Sequence, residues 1–196
     1  MNQHDDALVV PQRRRFLRTA GTATLSGAAI ALLAGNDALA QAMKTAPAQD
    51  VSILNVALGL EHEAINAYQL GAQSGLLQKP VLDVAVLFQG HHKGHRDALT
   101  ATIRSLGGTP VEEKPLDDYA RALNAAALRN QNDVLELAAR LELGATNAYL
   151  GVIPAFKDTG LAKIAARLAT DETMHWSILS NALGKPLPVG ALYFGA

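Results

Sequence analysis

The chain contains no cysteine among its 196 residues. That absence removes disulfides, thiolate zinc sites, iron–sulfur clusters and cysteine nucleophiles together. Any bound metal must therefore be held by oxygen and imidazole nitrogen. Aromatic residues make up only 5% of the chain, and the formal net charge of −1 leaves no surplus of either sign. A near-neutral chain without a basic stripe is not built to hold nucleic acid. A Gly-rich phosphate loop and a serine nucleophile elbow are missing as well. What is plentiful is Ala and Leu within a 49% hydrophobic composition, which favours helices packed on helices over a β-sandwich. The length suits one domain of roughly 150 residues plus an extension.

The extension is at the front. Residues 12–18 read Gln-Arg-Arg-Arg-Phe-Leu-Arg, a weakly apolar stretch runs from Thr19 to Gly35, and Ala38-Leu39-Ala40 follows. A basic segment, a short apolar core and an A-x-A ending are the parts of a secretory signal. A membrane span would need about 20 strongly apolar residues. Arg13-Arg14, the free position at Arg15, Phe16-Leu17 and the basic Arg18 resemble a bacterial twin-arginine signal. The expectation is a cleaved signal over residues 1–40, a flexible lead-in over 41–50, and a periplasmic or otherwise exported protein with no stable membrane span. Such export carries folded proteins and often those loaded with a cofactor. The remaining 156 residues carry a net charge of −2, and that length buries an adequate core without disulfides.

Four segments with helical periodicity follow, near 51–75, 81–107, 132–153 and 160–184. Lys79-Pro80 opens the second, Gly107-Gly108-Thr109-Pro110 closes it, Pro154 stops the third, and Gly184-Lys185-Pro186 ends the fourth. A connection of roughly 25 residues, with a helical piece near 117–128, separates the second segment from the third; the other connections are short. Two helical hairpins joined by one long crossover are predicted, an all-α antiparallel four-helix bundle over 51–184 with a tail over 185–196. An internal repeat supports the hairpins. Glu61-x4-Asn66-Ala67-Tyr68 matches Glu142-x4-Asn147-Ala148-Tyr149 at an offset of 81 residues. His92-x-x-His95-x-x-x-Leu99 parallels Glu172-x-x-His175-x-x-x-Leu179 at an offset of 80.

Placed on helix faces, these polar residues fall where the core should be. Residues at i, i+3, i+4 and i+7 share a side. The four stripes are Leu54, Leu58, Glu61, Ile65, Tyr68; Ala85, Phe88, His92, His95, Leu99, Leu106; Leu135, Ala139, Glu142, Thr146, Tyr149; and Ile164, Leu168, Glu172, His175, Leu179. Each apolar face is interrupted near its middle by an ionisable residue. A charge buried alone costs several kcal/mol, so it is neutralised, paired or bound to a metal. Three carboxylates and three imidazoles at one level of a bundle suit one or two divalent ions of iron, manganese, zinc or copper.

Here the sequence resembles the ferritin-like di-iron carboxylate family, over essentially all of 51–184. That family takes one Glu from each of two helices and Glu-x-x-His from each of the other two. The resemblance implies a metal site of Glu61, Glu142, Glu172, His175 and His95, with His92 as the sixth position. It makes Tyr68 and Tyr149 similar to the tyrosines that back the ligands in rubrerythrin-type members. The chain is most similar to exported ferritin-like domain proteins, some of them desiccation-related. It departs from the pattern at His92-Lys93-Gly94-His95, where an imidazole replaces the second bridging carboxylate. That departure leaves open an asymmetric site, a single metal, a metal other than iron, or lost activity. His91 and His95, spaced i, i+4, are an alternative pair, although the repeat favours His92.

Two function classes remain open on sequence. In the first, two irons react with oxygen or peroxide, and the protein handles iron or oxidants, or protects against stress, with an external electron donor if it is redox-active. In the second, no metal binds, Glu61 and Glu142 form buried ion pairs with the histidines, and the bundle is a structural or interaction protein of the envelope. In either case His62 and Glu63 read as solvated surface, and Tyr68 and Tyr149 as core residues hydrogen-bonded to carboxylates rather than redox participants. The tail from Pro186 reads as packed along the bundle or as an interface. A homodimer remains open.

Overall fold

A computed structural model describes residues 46–195; the signal expected over 1–40 lies outside the described residues. Five helices form: α1 (Ala46–Gln73), α2 (Lys79–Ser105), the short α3 (Leu116–Ala122), α4 (Gln131–Val152) and α5 (Thr159–Ala182), with 3-10 turns at Ala125–Ala127 and Ile153–Ala155. Local chemistry sets the boundaries. Pro80 sits in the first turn of α2, where its missing N–H leaves no helical bond unmade. The end of α2 is closed by Gly107 at φ 77°, with Gly108 N donating to the Ile103 carbonyl. The Asn130 side chain caps α4 by accepting from Asp133 N, and Asp158 caps α5 by accepting from Gly160 N and Leu161 N.

The architecture is the expected one. α1 packs along α2 and α4 along α5, and the two hairpins meet chiefly through α1 and α4. The lead-in differs from expectation, because α1 is already helical from Ala46. A proline in a first turn, here at 47, removes no intrahelical bond. Asp50, itself buried, then ties this added turn to the far hairpin by accepting from the backbone of Lys157 and Asp158.

The core has three layers along the bundle. One apolar layer gathers Leu54, Leu58, Leu99, Ile103, Tyr149, Leu161 and Leu168, and a second gathers Tyr68, Phe88, Leu135, Trp176 and Leu179. Between them lies a layer of buried ionisable groups. The predicted stripes are buried except at Leu106, which is partly buried, and Ile164, which is 36% exposed. Leu161 and Ala165 take the inward positions on that turn of α5.

The crossover does more than connect. Asn55 binds it twice, donating to the Thr109 carbonyl and accepting from Val111 N. Asn66 donates to Glu113, while Tyr119 and Leu123 pack on Ala67 and Leu137. This layer overturns the reading of His62 and Glu63 as solvated. They are 6% and 7% exposed, because the crossover runs over the outer face of α1. His62 Nε2 lies 3.3 Å from the Val111 carbonyl. The tail repeats the arrangement on the second hairpin. Gly195 N donates to Asn147, the repeat partner of Asn66, and Phe194 meets Trp176 edge-to-face at 5.1 Å. The end of the tail therefore touches the bundle, while Leu187, Val189 and Leu192 along it stay exposed.

Candidate metal centre

The middle layer brings together all six sequence-predicted ligand positions. Glu61 on α1, Glu142 on α4, Glu172 and His175 on α5, and His92 on α2 are each at most 1% exposed, and His95 is 9% exposed. Two overlapping groups result, Glu61–His92–His95–Glu172 and His92–Glu142–Glu172–His175, with the donor atoms in each within 4.8 Å of one another. Glu172 and His92 are common to both. The two lobes otherwise differ only in which single glutamate and which outer histidine they use.

The repeat is expressed here as cross-bracing. Tyr68 on the first hairpin donates to Glu142 on the second at 2.5 Å, and Tyr149 donates to Glu61 in return. His95 turns Nδ1 inward, 3.2 Å from Glu172, and offers Nε2 to Asp171 at 3.2 Å. His175 turns Nδ1 inward to Glu172 at 3.2 Å, and its Nε2 lies 2.9 Å from His91 Nδ1. Asp171 and His91 are thus equivalents, each one residue before the shared position and each steadying the other helix's histidine. Sequence reasoning passed over Asp171, although the offset of 80 that links His92 to Glu172 also links His91 to Asp171. His91, the alternative partner of His95, belongs to neither group of candidate donors. It stacks beside His175 with ring centroids 5.2 Å apart.

His92 occupies the place of the absent carboxylate. Its Nδ1 lies 2.8 Å from Glu61 and its Nε2 3.1 Å from Glu142, while the Tyr68 ring stacks on it at 5.5 Å. An ionised carboxylate can only accept, so with Glu61 and Glu142 both ionised this arrangement favours His92 as an imidazolium. Burial by itself would lower its pKa, but Glu142 and Glu61 hold it well above the usual histidine range. Burial likewise works against the charge on His95, yet Glu172 and Glu61 bring its pKa up to about 10. For Glu61, burial would raise the pKa, but His92 and His95 outweigh it and bring it down to about 2. Glu142 is likewise held below the ordinary range by His92 and His175 against its burial. Glu172 is the exception: burial wins and its pKa rises. Burial and the adjacent carboxylates push both tyrosines far up, so they stay neutral donors.

Protein partners do not saturate the cluster. His95 Nδ1, Glu172 Oε1 and Glu142 Oε2 are buried without a hydrogen bond of sound geometry. The first two atoms belong to one lobe and the third to the other. His95 Nδ1 and Glu172 Oε1 face each other at 3.2 Å, and Glu142 Oε2 faces His175 Nδ1 at 3.4 Å. Such inward-turned carboxylate and imidazole atoms are the donors a divalent transition ion takes up, so these residues fit such a metal. Among the described residues no helix is long and apolar enough to cross a membrane. A family model for the ferritin-like domain matches residues 49–185. No curated protein and no solved structure matches the chain.

Proposed function

The chain belongs to the ferritin-like domain family, and from that premise we propose that it is an exported protein that binds one or two divalent transition metals, iron foremost, in iron or oxidant handling or stress protection. The observation that carries this reading is the convergence of three carboxylates and three imidazoles, all buried, into two overlapping groups whose donor atoms lie within 4.8 Å of one another. Glu61, His95 and Glu172 would hold one ion and Glu142, Glu172 and His175 the other, with His92 between them. Bound iron would supply oxidation of the ferrous state by oxygen or peroxide. The chain's own residues do the positioning. Tyr68 and Tyr149 fix Glu142 and Glu61 from the opposite hairpin, and Asp171 and His91 fix the outer rings of His95 and His175. Outer partners of this kind orient ligands and tune the metal. The apolar layers on either side exclude water. A chain without cysteine has no thiolate redox relay, so sustained turnover would draw electrons from another molecule. The Arg13-Arg14 block supports export to the periplasm.

A second reading is favoured by one observation. His92 already bridges Glu61 and Glu142 as an internal cation, which would let a metal-free bundle persist as an envelope protein. Chelation distinguishes the two, because a metal bound only by the folded state stabilises it. The first reading expects the melting temperature to fall on treatment with a chelator and to recover with ferrous or manganous ion. In Glu172→Gln it should respond to neither. A melting temperature indifferent to chelator in the wild-type chain favours the second reading.

A further inference from the structure

On the Tyr68 side of the polar layer the four long helices do not close completely. They leave a cavity of about 250 Å³. Small residues cause it: Ala64, Ala67 and Gly71 on α1, Ala85 on α2, and Ala138 on α4 line it where larger side chains would fill it. The remaining wall is aliphatic apart from Tyr68, whose hydroxyl is committed to Glu142. A buried water needs two to four polar partners, and this wall offers none that is free. The cavity is therefore a poor place for water. Its mouth lies between the start of α2 and the end of α5, where Pro80, Ile178 and Ala182 are exposed, and its floor is formed by buried Tyr68, Leu135 and Leu179.

We infer that this cavity is a binding site for an apolar molecule of about ten carbon atoms, which enters between α2 and α5 and rests on the Tyr68 ring. The size follows from scale: an apolar cavity of about 150 Å³ takes up benzene, and the volume here is larger by two thirds. Affinity comes from removing apolar surface from water against a wall that does not have to rearrange. It does not depend on a metal being bound. Because Tyr68 forms both the cavity floor and the brace on Glu142, an occupant would sit one side chain away from the metal centre.

Calorimetric titration of the full chain with 1-alkanols of six to twelve carbons tests this, in chelator-treated and metal-loaded forms. The expected result in both forms is one saturable site per chain. Affinity should tighten about fourfold per added methylene and level off near ten carbons. Ala138→Phe, which fills the cavity, should weaken binding at least tenfold. Ala182→Phe, at the exposed rim, should do the same without disturbing the core. Absence of saturable binding, affinity that keeps rising past ten carbons, or unchanged affinity in both folded variants would overturn the inference. Metal content measured on the same samples tells its failure apart from a failure of the metal reading.

Discussion

At the scale of single residues, the centre is governed by hydrogen bonds that cross between hairpins. Tyr149→Phe leaves Glu61 without its phenol donor in a fully buried site. The loss of a charge-assisted bond should destabilise the metal-free bundle by about 1.5–3 kcal/mol and weaken metal binding by about 10–100-fold. Denaturant unfolding and metal competition titrations would show both effects, and a variant that moves neither would mean the brace is idle. His92→Glu makes a sharper contrast. It replaces the internal cation by a fourth carboxylate, so the metal-free form should melt lower while metal uptake rises. A rise in metal-free stability instead would contradict the role given to His92. The burial of the six candidate positions and both tyrosines was legible in sequence because each lies on an apolar stripe. Asp171 was not, because it lies off the stripe and its side chain is 49% exposed. His62 and Glu63 were misread for the complementary reason: helical periodicity places them on the outer face, and it says nothing about a crossover that covers that face.

At the scale of elements, the repeat determines more than ligand placement. Asn66 and Asn147 hold the chain that follows each hairpin, the crossover in one case and the tail in the other. The helix ends were readable because they rest on local chemistry: Pro80 in a first turn, glycine after α2, Pro154 after α4. The start of α1 was not, because the holding contact is a distant one between Asp50 and the loop before α5. Asp50→Ala should therefore destabilise the bundle by about 1–3 kcal/mol, since it leaves the backbone N–H groups of Lys157 and Asp158 without their acceptor. Metal stoichiometry should be unchanged. Loss of metal together with stability would mean that the first turn of α1 also positions the centre.

At the scale of the molecule, the buried layer links stability to pH in opposite ways with and without metal. In the metal-free chain, the stability from His95 is full below its ordinary value of 6.5 and is lost as pH rises through about 10. Glu61 contributes above its ordinary value of 4.5 and loses that contribution as pH falls through about 2. The metal-free bundle should be most stable between about pH 4.5 and 6.5 and weaken steadily above that range. Metal ligation needs unprotonated imidazoles, so metal affinity should rise over the same interval. Melting curves of chelated and metal-loaded protein between pH 6 and 9 should diverge; parallel curves would mean that protons and metal do not compete for the same nitrogens.

The most direct test is a count of metal per chain, by elemental mass spectrometry on protein purified from its native cells and again after reconstitution with ferrous ion. The account predicts one or two ions per chain, with the number reduced in Glu142→Ala and Glu172→Gln. Fewer than about 0.1 ion per chain in both preparations, against a fully folded protein, would contradict it and leave the ion-paired, metal-free bundle.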